Sequence, residues 1–219
     1  MTLGVLFDMD GVLVASGPAH AASWRAVARK HGLQITDEQF HATFGRPSRD
    51  IIRILWERDL NHDDVREIDA QKEAIYRDLI TGMVPLTIGA RECLQSLHDA
   101  GMKLAVATSG PRENLDLVLR EGRLEPWFAA TVAGFDVPNG KPAPDCFLLA
   151  AERIGIPARQ CVVVEDAPVG IEAATAARMK SIGLVGTHNE LKLSAAGAAK
   201  VVQRLAEITP ELVRGMLAA

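Results

Sequence analysis

The stretch that decides the fold is Gly4-Val5-Leu6-Phe7-Asp8-Met9-Asp10-Gly11-Val12-Leu13, close to the amino terminus. A short apolar run of this kind is typical of a buried strand. We predict a strand over about residues 4–8, with Asp8 and Asp10 two positions apart and therefore on the same side. Two carboxylates this close repel each other unless a cation or a shared proton lies between them. With Gly11 allowing a sharp turn, the pattern predicts a carboxylate site at the carboxyl edge of a parallel sheet.

The composition is that of a folded chain with no marked affinity for polyanions. The chain has 219 residues, 48% of them hydrophobic, and a formal net charge of −4. We therefore predict a packed core and expect neither a nucleic acid nor a membrane as partner. The amino-terminal apolar run has no preceding basic residue and carries two aspartates, unlike a signal peptide. No stretch approaches the 18 or so apolar residues of a membrane span, and we expect a cytoplasmic protein.

Three cysteines, Cys93, Cys146 and Cys161, are scattered along the chain, with no CxxC pair and no histidine cluster. Each lies in an apolar helix or strand pattern, so we interpret them as reduced core residues rather than disulfide or zinc ligands. Reduced cysteines fit a reducing compartment.

Residues 16–84 form a block without a convincing strand. Ser16 is a candidate cap for a first helix that begins at Pro18 and ends at Gly32. Apolar residues at helical spacing predict three further helices, starting at about 37, spanning about 48–60 and spanning about 64–80. We therefore predict a separate domain here, a bundle of four helices.

The remaining sequence alternates strands with helices. Strands are predicted at 103–108, 131–133, 161–165, 181–185 and 201–202. Helices are predicted at 90–99, 111–121, 145–154, 168–178 and after 209. This rhythm is typical of an α/β fold, a doubly wound parallel sheet with helices on both faces. We predict a core formed by residues 1–15 and 85–219, with the helical domain inserted after its first strand and hinges near 14–17 and 82–86.

Polar residues also mark the ends of two later strands and the loop between them. They are Thr108-Ser109-Gly110 after one strand, Lys141-Pro142 on the loop, and Glu165-Asp166 after the other strand. Because the carboxyl ends of parallel strands meet at one edge of a sheet, we expect these residues beside Asp8 and Asp10. Four acids and one lysine leave that edge negative, and oxygen ligands of this kind select Mg²⁺, which also binds substrate phosphate.

This set of residues suits phosphoryl transfer. Mg²⁺ and Lys141 neutralise phosphate oxygens, while Thr108 and nearby backbone N–H groups donate hydrogen bonds to them. The chain has no GxxxxGK[ST] loop of a nucleotide-binding protein. An aspartate can itself be the nucleophile and form an aspartyl-phosphate, and a second aspartate two residues on can serve as general acid and base.

Four motifs, in chain order, strongly resemble those of the haloacid dehalogenase superfamily of phosphatases and phosphomutases. They are Asp8-Met9-Asp10-Gly11-Val12, Thr108, Lys141-Pro142 and Glu165-Asp166. The helical insertion resembles the small cap of the subgroup that contains β-phosphoglucomutase and many sugar-phosphate phosphatases. The resemblance implies a Rossmann-like core with an inserted four-helix cap.

The resemblance also implies roles for the acids. Asp8 would be the nucleophile and a Mg²⁺ ligand. Asp10 would be the acid/base and would give its backbone carbonyl to the metal. Asp166 would ligate Mg²⁺, with Glu165 bound to it directly or through water.

The phosphoryl group would be held by Thr108 and Lys141, with Ser109 and Gly11 as further substrate-binding candidates. The dehalogenases of this superfamily also use an aspartate nucleophile. They lack the metal-binding second aspartate, so Asp10 argues against that activity.

The cap supplies four more candidate substrate-binding residues: His20, Arg46, Arg49 and Lys72. His20 with Trp24, and Lys72 with Tyr76, resemble positions of β-phosphoglucomutase-like members. The segment 45–49, Gly-Arg-Pro-Ser-Arg, resembles the cap loop that reaches into the site, and either arginine can bind an anion. The alternatives are helix packing for the histidine and tryptophan and a solvated surface for the basic residues.

Three features favour a phosphatase over a mutase. Ala15 replaces an aspartate usual in this subgroup, Gly110-Pro111 stands where the mutases carry a serine and a lysine, and the cap loop carries one extra residue. We predict a Mg²⁺-dependent phosphatase that hydrolyses small phosphorylated metabolites such as sugar phosphates through an aspartyl-phosphate. The alternatives are a β-phosphoglucomutase-type phosphomutase and, in another class, a non-catalytic phosphate-ligand binding protein. We expect a small-molecule phosphate ester as the partner and a monomer or weak homodimer.

Overall fold

A computed structural model of the chain describes residues 2–43, 46, 48–56 and 60–218. It divides into two compact units. The core unit comprises Met1–Ala15 and Pro85–Ala219, and the helical unit comprises Ser16–Val84.

The helical unit contains the helices α1 (Gly17–Lys30), α2 (Asp37–Thr43), α3 (Ser48–Trp56) and α4 (His62–Ile80). Their apolar faces enclose a core of its own that includes Trp24, Ile52 and Trp56. Residues 57–59 of the predicted third helix lie outside the described residues, and Leu60 is not helical.

Two helix starts differ from the prediction. The predicted cap at Ser16 is wrong, because its backbone is already in the helical region and its buried hydroxyl has no hydrogen-bond partner among the described residues. A capping side chain needs an extended backbone to reach the free N–H groups of the first turn. α4 begins two residues earlier than predicted, because the Asn61 side chain accepts hydrogen bonds from the backbone N–H groups of Asp63 and Asp64.

The core unit is built on a parallel sheet of β1 (Gly4–Phe7), β2 (Lys103–Ala107), β3 (Phe128–Val132), β4 (Cys161–Glu165), β5 (Lys180–Leu184) and β6 (Lys200–Val202). Within the described residues the strand order is β3-β2-β1-β4-β5-β6, and all neighbouring pairs are parallel. The order reverses between β1 and β4. In open α/β sheets the crevice at such a reversal, beyond the carboxyl ends of the strands, is where ligands bind.

Six helices accompany these strands in the described part of the core unit: α5 (Ala90–Asp99), α6 (Arg112–Gly122), α7 (Asp145–Ile154), α8 (Pro168–Ala176), α9 (Glu190–Ala195) and α10 (Pro210–Ala218). The predicted α/β fold is confirmed. The short helix α9 was not predicted, since six residues carry too little periodicity to be recognised.

All three cysteines are buried and none forms a disulfide, as predicted. Burial raises the pKa of the Cys93 and Cys161 thiols to about 12, so both are inert core groups at neutral pH. In the part of the chain that the structure describes, no helix has the length and apolarity needed to cross a bilayer.

Candidate active site

Strand β1 delivers Asp8 to the carboxyl edge of the sheet. All four strand residues are buried, and the backbone N–H of Asp8 donates to the carbonyl of Val164 in β4 at 3.0 Å. The chain then turns at Gly11, whose φ of 80° lies in the left-handed region. A Cβ atom at Gly11 would lie 1.8 Å from Oδ2 of Asp166. Only glycine therefore lets this turn approach that carboxylate.

Lys141 ties three strand ends together. Its Nζ donates to Oδ1 of Asp8 at 2.5 Å, to Oε1 of Glu165 at 2.6 Å and to the carbonyl of Ala107 at 3.2 Å. These bonds use the three protons of the ammonium group. The side chain is buried, and the charged form is favoured: burial lowers the pKa of Lys141, but the attraction of Asp8 and Glu165 outweighs it and holds the pKa well above its usual value.

Glu165 is fully occupied by protein donors. Oε1 accepts from Lys141, and Oε2 accepts from the backbone N–H groups of Asp166 at 3.0 Å and Ala167 at 3.1 Å. A Cβ atom at Gly170 would lie 1.8 Å from Oε1, so the first turn of α8 is shaped around this carboxylate.

Asp166 is placed differently. Its side chain is buried, and its Oδ2 has no hydrogen-bond partner within the described residues. The loop after β5 holds the residue in place: Thr187 hydrogen-bonds the side chain, and Nδ1 of His188 donates to the backbone carbonyl at 3.1 Å. Sequence reasoning missed these two residues, because no pattern links them to a strand end about 20 positions earlier in the chain.

Three carboxylates are clustered at this edge. One oxygen each of Asp8, Glu165 and Asp166 lies within 4.8 Å of the others. With Lys141 the fully ionised cluster has a formal charge of −2, which is unfavourable in a buried place. A buried oxygen without a partner and an excess of negative charge fit a divalent metal ion.

Burial and this excess of negative charge raise the pKa values of Asp8 and Asp166. Burial raises the pKa of Asp8 to about 8; Lys141 lowers it, while Glu165 and Asp10 raise it further. Burial, and then the negative charges of Glu165 and Asp8, raise the pKa of Asp166 well above its usual value. In the absence of a cation the cluster therefore holds protons that a metal ion would have to displace.

Thr108 and Asp10 both lie close to Gly110. The buried Oγ1 of Thr108 accepts from the backbone N–H of Gly110 at 3.0 Å. A Cβ atom at Gly110 would lie 3.4 Å from that hydroxyl and 3.8 Å from Oδ2 of Asp10. The Asp10 carboxylate is half-buried and is not part of the three-carboxylate cluster. Ser109 is exposed beside them.

In the helical unit, His20 and Lys72 lie in one buried cluster. Nζ of Lys72 is 2.8 Å from Nδ1 of His20 and 2.7 Å from Oε1 of Glu73. The same ammonium lies over the rings of Trp24 and Tyr76, and the His20 ring stacks on Tyr76. The four residues of the predicted pairs thus belong to one cluster around the Lys72 ammonium. Sequence reasoning missed the buried acid Glu73, whose only signal was its place beside the lysine.

The two cap arginines are not in that cluster. Arg46 is exposed, and the Arg49 side chain is 66% exposed and 3.7 Å from Asp50. The other members of the predicted cap loop, Gly45 and Pro47, lie outside the described residues.

The fold and the site define an α/β enzyme whose acidic cluster, at the reversal of a parallel sheet, can hold a divalent cation next to a lysine and a threonine hydroxyl. The chain belongs to the haloacid dehalogenase-like hydrolase family, whose model matches residues 2–178. The predicted superfamily and the prediction of a hydrolytic enzyme are confirmed.

Three curated relatives match along most of their length. The chain is 34% identical to a phosphorylated carbohydrates phosphatase of Thermotoga maritima, over 91% of this chain and 93% of that one. It is 35% identical to fructose-1-phosphate phosphatase YqaB of Escherichia coli, over 82% and 94%. It is 28% identical to the β-phosphoglucomutase of Bacillus subtilis, over 95% and 92%.

A solved structure has the same architecture. The HAD hydrolase of family IA, variant 3, from Entamoeba histolytica HM-1:IMSS aligns with a TM-score of 0.90 and 26% identity, covering 100% of both chains. The match extends over both units of the chain.

Proposed function

We propose that the protein is a Mg²⁺-dependent phosphatase that hydrolyses small phosphorylated metabolites, sugar phosphates among them, through an aspartyl-phosphate on Asp8. The observation that carries the proposal is the contact of Asp8 with Lys141, 2.5 Å apart, inside a buried cluster of three carboxylates. Hydrolysis of phosphoric monoesters is the class of reaction supported by the names of the two phosphatase relatives.

Asp8 and Asp166 are the residues best suited to hold the metal directly, since Oδ2 of Asp166 has no protein donor. Both oxygens of Glu165 are occupied, which favours contact through a water molecule. The backbone carbonyl of Asp10 would complete the protein ligands. When bound, Mg²⁺ supplies positive charge to the phosphate oxygens.

Each step of the hydrolysis is assigned to residues of this chain. A carboxylate oxygen of Asp8 attacks phosphorus, and the bond from phosphorus to the ester oxygen breaks. Asp10 donates its proton to that leaving oxygen, then takes a proton from the water that attacks the phospho-Asp8 bond. Phosphate leaves and both aspartates return to their starting states. Thr108 donates to the phosphoryl oxygens throughout, and Lys141, whose three protons are bonded within the protein, places its positive charge beside them.

Hydrolysis of p-nitrophenyl phosphate with Mg²⁺ and with EDTA tests the proposal. We expect turnover that requires the metal. A screen of phosphorylated metabolites then identifies the substrate. Absence of activity on every phosphate ester would support the non-catalytic binding protein instead.

A phosphomutase is the second candidate, favoured by the similarity to the Bacillus subtilis enzyme. Against it, Pro111 begins the approach to α6 and offers no donor for a second phosphate. Incubation with β-glucose 1-phosphate and a bisphosphate primer separates the two. Glucose 6-phosphate formed without free phosphate would establish the mutase.

The cap residues His20, Arg46, Arg49 and Lys72 stay candidates for substrate binding. The exposed arginines suit a distal anion of the substrate. Lys72 already neutralises Glu73, so a direct role for its charge in binding is the weaker candidate.

Asp10→Ala is expected to lower kcat by about 10²–10⁴-fold, the usual contribution of a general acid–base group. Mg²⁺ affinity should change much less, because the backbone carbonyl remains. Steady-state kinetics and calorimetric titration with Mg²⁺ measure the two effects. Asp166→Asn is the matched contrast, and it should lower the Mg²⁺ affinity more than Asp10→Ala does. Equal losses of turnover and affinity in Asp10→Ala would contradict the assigned role.

Mg²⁺ should stabilise the protein more at about pH 8 than at about pH 6. The folded-state pKa of Asp8, about 8 against an ordinary 3.8, means that the metal-free fold binds a proton more tightly than the unfolded chain. This contribution to stability is therefore lost as pH rises through that interval, while metal binding becomes easier. At one fixed Mg²⁺ concentration, a hundred times the Kd at pH 8, the metal should add roughly 2.7 kcal/mol at pH 8 and less at pH 6, where the Kd is larger. Thermal unfolding with MgCl₂ and with NaCl of equal ionic strength measures it; an equal shift at both pH values would refute the prediction.

A further inference from the structure

Phe135 exposes its side chain, whereas residues just before it in the sequence are buried. It is 86% exposed, on a short 3-10 turn (Gly134–Asp136) that follows β3, whereas Val132 and Ala133 are fully buried. A single exposed apolar residue is ordinary by itself. Phe135 differs from such residues in its place beside the loop that carries Thr108 and in the contacts that fix its turn.

The backbone of this turn contacts the loop that carries Thr108. The backbone N–H of Gly134 donates to the carbonyl of Gly110 at 2.8 Å. A Cβ atom at Gly134 would lie 2.3 Å from the carbonyl oxygen of Ser109, so the two backbones are in direct contact. The Cα of Phe135 is one step, about 3.8 Å, further along the chain. Phe135 therefore lies at the carboxyl edge of the sheet, next to the loop proposed to hold the phosphoryl group.

The turn is also fixed from its other side. Oδ2 of Asp136 accepts from Nη2 of Arg112 at 2.5 Å, from Nη1 of Arg153 at 2.8 Å and from the backbone N–H of Ala133 at 3.3 Å. Arg112 in turn donates to the hydroxyl of Thr131 at 2.9 Å. A turn held by charged hydrogen bonds on one side and by the Gly110 carbonyl on the other presents its aromatic residue at a defined place.

The alcohol part of a phosphate ester must extend away from the phosphorus atom, past the exposed rim of the site. The exposed residues Phe135 and Ser109 belong to the two backbone segments that contact each other beside Thr108. A sugar ring has one face of C–H groups and hydroxyls at its edge, and it matches an aromatic surface beside a hydroxyl. An acyclic, highly polar alcohol such as glycerol offers no such face.

We propose that Phe135 is a specificity-determining residue that contacts the carbon face of ring-bearing leaving groups, with Ser109 bonding a ring hydroxyl, so that cyclic sugar phosphates are preferred over acyclic ones. The inference rests on the proposed phosphatase function. It adds the class of substrate, an ester whose alcohol carries a ring.

Phe135→Ala is expected to raise KM for a cyclic sugar phosphate and for p-nitrophenyl phosphate by about three- to tenfold, the size of one aromatic contact. The KM for glycerol 3-phosphate and the kcat for all three esters should stay unchanged. Phe135→Tyr keeps the aromatic face and should restore the KM. Ile88→Ala removes another exposed apolar side chain of the core unit, 94% exposed, and serves as the control.

The outcomes separate the two proposals. A rise in KM that is equal for the cyclic and acyclic esters, or no rise at all, would overturn the role of Phe135 while leaving the phosphatase intact. A wild-type chain that hydrolyses acyclic esters but no ring-bearing one would also overturn the role of Phe135, and a chain that hydrolyses no phosphate ester of the screen would refute the phosphatase and this inference with it.

Discussion

Asp8→Asn is expected to reduce phosphatase turnover by on the order of 10⁴-fold or more, the loss typical of a removed nucleophile. An amide at this position cannot attack phosphorus, and it also removes one of the two carboxylates best placed for the metal. The fold should persist, because asparagine has the same shape and removes one charge from a cluster of formal charge −2. Steady-state kinetics with p-nitrophenyl phosphate and Mg²⁺ measure the loss.

The covalent step has its own readout. Wild-type protein incubated with beryllofluoride and Mg²⁺ should be inhibited, and the trapped group should lie on Asp8. Asp99→Asn is a matched control, since Asp99 is an exposed acid at the end of α5 in the same unit. Turnover of Asp8→Asn close to that of the wild type, or trapping at another residue, would refute the nucleophile assignment.

Lys141→Met is expected to lower both turnover and stability. Loss of the positive charge beside the transferring group lowers kcat by about 10²–10³-fold. The variant also leaves Asp8 and Glu165 without the cation that contacts both, and breaking a buried ion pair from one side costs about 3–5 kcal/mol. Because protonated carboxyls need no cation, the loss of stability should grow as pH rises towards and past about 8, the pKa of Asp8.

Chemical denaturation at several pH values, without metal, measures this loss. Lys200→Met, at an exposed position at the start of β6, removes an equal charge and should change neither quantity. A Lys141→Met protein as stable as the wild type at high pH would show that the ammonium is not the partner of the two carboxylates.

The fold follows closely from local patterns. Every residue is buried in the apolar run of β1 and in the Val162–Val164 segment of β4. Continuous burial of this kind is typical of central parallel strands. The order of the acidic motifs along the chain was also sufficient to place them at one edge, because parallel strands share their carboxyl ends. The predicted gathering of Asp8, Lys141 and Glu165 needed no more than this rule.

Other features depend on contacts that local patterns do not contain. Ser16 has the residue type of a helix cap but a backbone geometry that prevents capping. Lys72 reads as a surface lysine, yet it is buried against Glu73 and against His20, 52 positions away. Thr187 and His188 support Asp166 from a loop that has no distinguishing sequence signal.

The sequence by itself determined the class of fold, the acidic edge and the lysine that belongs to it, since strand periodicity and the parallel connection convert order along the chain into position in space. Only the tertiary structure decided how the charges are shared. Lys141 meets Asp8 across 133 positions and occupies one oxygen of Glu165, while one oxygen of Asp166 is left without a partner. Which oxygen receives which proton depends on distances of a few ångströms between distant segments, and these distances are set by packing rather than by any neighbouring residue.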